Sequence, residues 1–73
     1  MDKRELLLKL GNKIRYERIR KGLSQEQLAE LADINMRSIS TIERGVTDIK
    51  FSTLTKIAQA LSIETPILID FKF

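Results

Sequence analysis

Two helix starts lie close together in this chain, at Ser24 and Asn35, and the ten residues between them must hold a complete helix and its stop. Gln27 follows Ser24 by three positions, the spacing at which each side chain can bond the other's backbone amide. Leu23 and Leu28 stand where a hydrophobic staple would close the same helix start. Asn35 repeats the device, with Ile34 before it and Ile39 four residues inside the next helix. Two short helices joined by only about three residues must cross at a steep angle. A chain with such a corner folds around helix crossings. Leu28, Leu31 and Ala32 are expected to turn the inner face of the first of these helices toward the core.

The same signals place the other elements. Asp2 and Glu5 have capping-box spacing, Met1 and Leu6 staple spacing, and Leu6, Leu7, Leu10 and Ile14 keep a helical period, so a long first helix runs from Lys3 to about Lys21, where Gly22 offers a left-handed stop. Gly45 ends the third helix, and VTDIK is a polar link of ordinary length. Ser52 looks like the next cap by residue type. Ile49 and Leu54 have staple spacing only if Lys50 is the cap, which is the reading adopted, and Leu54, Ile57, Ala58 and Leu61 carry a fourth helix to about Leu61. In the tail IETPILIDFKF, Thr65 and Pro66 suit a cap and a first helical residue. Ile67, Ile69, Phe71 and Phe73 also alternate with Asp70 and Lys72, as in a half-buried strand. One or two helical turns with an extended end are expected. The fold class is therefore all-α, a compact bundle of four to five helices in one domain spanning residues 1–73.

Composition narrows the function. With 73 residues there is room for one small core and no large catalytic cleft. There is neither cysteine nor histidine, so the usual nucleophile, general base and metal ligands are missing, and Glu26 and Glu30, one helical turn apart, read as a solvated face. The expectation is a protein that is not an enzyme and uses no metal or cofactor. No apolar run approaches the roughly 20 residues that span a bilayer, and MDKRELLLKL is too charged for a signal peptide, so no membrane role and a cytoplasmic location are expected. The net charge is +3. Its distribution is uneven: Lys3, Arg4, Lys9, Lys13, Arg15, Arg18, Arg20 and Lys21 face only Glu5 and Glu17 in the first helix. Such a helix can line a polyanion or present a solvated face, and charge alone favours the second.

The run LGNKIRYERIRKGLSQEQLAELADINMRSISTIERG resembles the phage-repressor, or XRE-like, helix-turn-helix family, and FSTLTKIAQALSI is more weakly similar to that family's fourth-helix region. Ala29 is small where the paired helices come closest, Ile34 covers the turn, and Ile39 and Ile42 anchor the second helix of the pair. Two positions depart from the pattern. Asp33 stands where the family usually has glycine, and Ile49 where it often has proline. In size the chain resembles restriction-modification controller proteins and small stand-alone repressors.

The resemblance implies a DNA-binding domain with its helix-turn-helix at about residues 25–44 and the third helix in the major groove of double-stranded DNA. Carried over by position, Met36, Arg37, Ser40 and Thr41 are the implied base contacts. Arg37 would fork onto guanine, while Met36 or the Thr41 methyl would pack on a thymine methyl. Gln25, Asn35, Ser38, Arg44, the amides of Gly45, Val46 and Thr47, and Lys50 are implied contacts to the DNA backbone, with Arg15 and Lys13 as extensions. Gln25 would also brace the start of the third helix, and for Asn35 capping is expected to dominate. Arg18 falls on the stripe of Leu10 and Ile14, a cation where a core residue is due, and the resemblance pairs it with Glu43. The alternative is that Arg18 reaches a phosphate. The apolar tail, residues 63–73, is read as a homodimer surface formed by Ile63, Ile67, Leu68, Ile69, Phe71 and Phe73; the alternative is that some of these complete the monomer core, Ile63 first among them. The expected function is a sequence-specific transcriptional regulator; the rival is an antitoxin whose tail grips a toxin.

Overall fold

A computed structural model of the chain describes residues 1–71, and among these it forms five helices and no strand: α1 (Lys3–Arg20), α2 (Gln25–Ala32), α3 (Met36–Glu43), α4 (Phe51–Ala60) and α5 (Thr65–Leu68). Each start follows its local chemistry. Asp2 accepts from the Glu5 amide, Ser24 and Gln27 close the full two-way box, and Asn35 accepts from the Ser38 amide. Lys50 occupies the α4 cap without a side-chain bond. Ile49 packs on the core to which Leu54 belongs, as the staple spacing requires, so the staple and not the residue type marks this start.

Four helices end in the same way. The chain turns left-handed at Gly22 (φ 73°), Asp33 (φ 56°), Gly45 (φ 73°) and Ser62 (φ 58°). The following amide then reaches back to a carbonyl of the last turn, as in Leu23 N to Arg18 O (3.1 Å), Ile34 N to Ala29 O (3.0 Å), Val46 N to Thr41 O (3.1 Å) and Ile63 N to Ala58 O (3.0 Å). Asp33 therefore takes the conformation for which the resembling family uses glycine. Ser62 was not foreseen from the sequence.

α3 packs against α1 and α2, α4 against α2, and α5 closes onto α4 and α1. The shared core holds Leu10 and Ile14 of α1, Leu28, Ala29 and Ala32 of α2, Ile39 and Ile42 of α3, Leu54, Ile57, Ala58 and Leu61 from α4 and its cap, and Leu68 of α5. Three expectations are corrected. Leu31 is 61% exposed, because the inward face of α2 is centred on Leu28, Ala29 and Ala32, and at about 100° per residue Leu31 lies off that face. Thr65 is the first residue of α5 and Glu64 its cap; proline is tolerated throughout a first turn, so Pro66 did not fix the register. Leu68, read as interface, is 0% exposed and plugs the monomer core. Ile63 and Phe71 pack partly on the same core, Ile67 and Ile69 remain exposed, and Phe73 lies outside the described residues.

Candidate nucleic-acid interface

The outward side of α3 begins with its cap. The Asn35 Oδ1 accepts from Ser38 N at 2.9 Å, which fixes where the helix starts and occupies the side-chain oxygen of a residue also considered for DNA contact. Ile39 and Ile42 then hold one side of α3 in the core, and the opposite side carries Met36, half exposed, and exposed Arg37. Arg37 takes part in none of the ion pairs among the described residues. Ser40 and Thr41 are half-buried beside them, and the Thr41 hydroxyl donates to Ser38 O at 3.1 Å, leaving its methyl and lone pairs for an outside partner. Replacing Asn35 with alanine is expected to cost about 1 kcal/mol, readable as a lower urea midpoint at unchanged m-value, because the Ser38 amide loses its acceptor.

Glu43 closes the helix from the inside. Its carboxylate accepts from Arg18 Nε at 2.7 Å and Nη2 at 3.0 Å and from Gln25 Nε2 at 3.2 Å. The remaining Arg18 nitrogen, Nη1, donates to Leu23 O at 2.8 Å. One network thus ties α1, the α1–α2 turn, α2 and the end of α3, with the Arg18 and Glu43 side chains only 11% and 3% exposed. Arg18 is therefore turned inward and not toward a phosphate. Gln25 braces the end of α3, not its start as expected.

The loop after α3 also differs from expectation. The amide of Gly45 bonds Ile42 O at 3.0 Å and that of Val46 bonds Thr41 O, both within the helix stop. Of the three amides read as backbone contacts, these two are already occupied, which leaves Thr47. Val46, Thr47 and Lys50 are exposed along the loop, and Arg44 is exposed with its Nε 3.4 Å from Ser40 O. Ser38 is half-buried and lines a shallow groove with Ile34, Thr47, Asp48, Lys50 and Thr53.

Part of the basic charge of α1 is paired within the protein. Glu17, 3% exposed, is held by Arg20 Nη2 at 2.9 Å and Lys13 Nζ at 3.7 Å, and Lys3 meets Asp48 at 3.1 Å. With Arg18 on Glu43, four of the seven cations of α1 are paired among the described residues, and Arg15 is among those left exposed. Glu17 is more than a counter-charge to its helix, and its spacing from Lys13 and Arg20 is the sequence signal that marks the cluster. Gly11 carries a signal of its own, since a glycine inside a helix costs about 1 kcal/mol against alanine and so asks for a packing reason.

Two eight-residue helices meeting through a left-handed Asp33, the second anchored inside and polar outside, are the architecture of a helix-turn-helix protein. The Helix-turn-helix family model matches residues 14–68, and the chain belongs to that family. Control protein C.BamHI of Bacillus amyloliquefaciens is 38% identical over 65 residues, which cover 88% of this chain and 80% of that protein. Control protein C.SmaI of Serratia marcescens is 36% identical over 69 residues, covering 94% and 79%. Among solved structures, the restriction-modification controller protein C.AhdI from Aeromonas hydrophila superposes with a TM-score of 0.84 at 39% identity, covering 85% of this chain and 94% of that one.

Proposed function

We propose that this chain is a sequence-specific DNA-binding transcriptional regulator that lays α3 in the major groove, binds as a homodimer, performs no catalysis and acts in the cytoplasm. The observation that carries the reading is the division of α3 into an anchored side and an outward side. Ile39, Ile42 and Glu43 are held by the core and by Arg18, while Met36 and Arg37 are exposed and Ser40 and Thr41 lie next to them. Arg37 and the Thr41 methyl match the edges of guanine and thymine. Lys50, Arg44, Thr47 and Arg15 supply charge and donors for phosphates to either side, contacts that position without specifying.

The dimer is supported by Ile67 and Ile69, 40% and 44% exposed on and just after α5. A second copy covering that edge would set two reading helices about 34 Å apart, one turn of DNA. The similarity to controller proteins favours a transcriptional regulator over an antitoxin. Selection from a random duplex pool is expected to enrich a near-palindrome, and sedimentation equilibrium to give a mass that rises from one chain to two with concentration. No enrichment would overturn the DNA reading. A concentration-independent single-chain mass up to high micromolar would overturn the dimer.

A further inference from the structure

We infer that Gly11 is a positioning residue for the reading helix: by lacking a side chain it lets α1 set the tilt of α3, and through that tilt the sequence selectivity of DNA binding. The inference rests on the DNA-binding reading above. Gly11 is buried in the middle of α1 with no left-handed backbone to explain it. A Cβ there would stand 2.5 Å from the carbonyl oxygens of both Ile42 and Glu43 and 2.9 Å from the Glu43 carbonyl carbon. All three are backbone atoms, so no rotamer change makes room. The last turn of α3 would have to retreat by about 1 Å to reach ordinary van der Waals contact.

A second approach of the same kind lies one turn back along α1. A Cβ on Gly45 would be 2.9 Å from Leu8 Cα and Cδ2, so the chain leaving α3 also rests on α1. Leu8, Gly11 and Arg18 fall on one face of α1, and all three meet the end of α3. The start of α3 is held elsewhere, by the Asn35 cap and by Ile39 in the core. A displacement confined to one end of an eight-residue helix is a rotation of its outward face. Recognition groups must be held within about 0.5 Å and 10–20°, so a retreat of about 1 Å at the moving end displaces Thr41 and tilts the long Arg37 side chain against base edges, while the flexible cations of the loop and α1 keep phosphates in reach.

The test is Gly11→Ala, with folding followed by thermal unfolding and binding measured on two duplexes, the one enriched by the wild type and a scrambled one of equal length. Selectivity, the ratio of the two affinities, is expected to fall about tenfold, while affinity for the scrambled duplex stays within about twofold. A purely structural role would lower the melting temperature and leave that ratio unchanged in the folded protein. A folded variant with wild-type selectivity overturns the inference, as does a raised melting temperature, the result expected for alanine in a helix with space beside it. Should Gly11→Ala fold only in trimethylamine N-oxide, both proteins are compared in that solvent. Should it stay unfolded, Leu8→Ala at the neighbouring contact decides: reduced selectivity supports the account and unchanged selectivity overturns it. Absence of any preference in the wild type would instead overturn the DNA reading, and this inference with it.

Discussion

Replacing Glu43 with alanine is expected to remove about 3–5 kcal/mol of stability, close to everything a domain of this size holds in reserve. The carboxylate is the common acceptor for Arg18 and Gln25, and the Arg18 side chain is 11% exposed. Without Glu43 the guanidinium keeps one protein partner, Leu23 O, in a place where water reaches it poorly. The unpaired cation, more than the lost attraction, sets the cost. In thermal unfolding the loss should appear as a drop on the order of 20 °C, at about 4–8 °C per kcal/mol for a domain this small. Arg18→Ala should cost a similar amount, since it strands the carboxylate instead. The double variant should then be far less unstable than the sum, and additive effects of the two single changes would show that the pair is not coupled.

The second large effect concerns recognition. Arg37→Ala is expected to leave the fold untouched, because the side chain is exposed and enters no ion pair among the described residues, and to abolish discrimination at one base position in each half-site. A bidentate arginine on guanine contributes about 1–3 kcal/mol of preference for that base, so the variant's selected sequences should lose that preference by about 5- to 150-fold while neighbouring positions keep theirs. Uniform weakening across all sequences, with a shallower salt dependence, would move Arg37 to the phosphate contacts.

The parts of the fold that were legible in the sequence are those fixed within a few residues. Caps and staples at Ser24, Asn35 and Ile49–Leu54 and left-handed stops at Gly22 and Gly45 each depend on near neighbours, and the helices begin and end where those signals lie; the stop at Asp33 is marked only by the glycine that the resembling family has there. Leu31 was misread because an eight-residue helix with only three or four apolar positions leaves the direction of its inner face uncertain by about one residue's rotation, roughly 100°. The tail was ambiguous because α5 is a single turn, too short to show a period; only packing against α1 and α4 makes Leu68 a core residue. Ser62 gave no signal, since serine is not the usual left-handed stop.

The candidate site divides in the same way. The Arg18 position on the Leu10–Ile14 stripe was visible from spacing, because a cation due at a core position asks for a partner. That Glu43 and not a phosphate provides it depends on two residues 25 positions apart, as does the reach of Gln25 across 18 positions. The amides of Gly45 and Val46 were expected to be available and are held in the helix stop, a consequence of the turn that also makes Gly45 useful there. The contact at Gly11 is a distance between α1 and the carbonyls of α3; a glycine inside a helix asks for a close neighbour, but spacing along one helix does not say which.

The central claim is that α3 reads bases from the major groove, and the most direct measurement is specific to that groove. 7-Deazaguanine, placed at the guanine assigned to Arg37 in the selected duplex, removes one major-groove acceptor and leaves the pairing and the backbone in place. The wild type should bind the substituted duplex about tenfold more weakly, as expected for losing a hydrogen bond from a charged donor, while Arg37→Ala should not distinguish the two duplexes. Equal affinity of the wild type for both duplexes, or an equal loss in both proteins, would contradict the account.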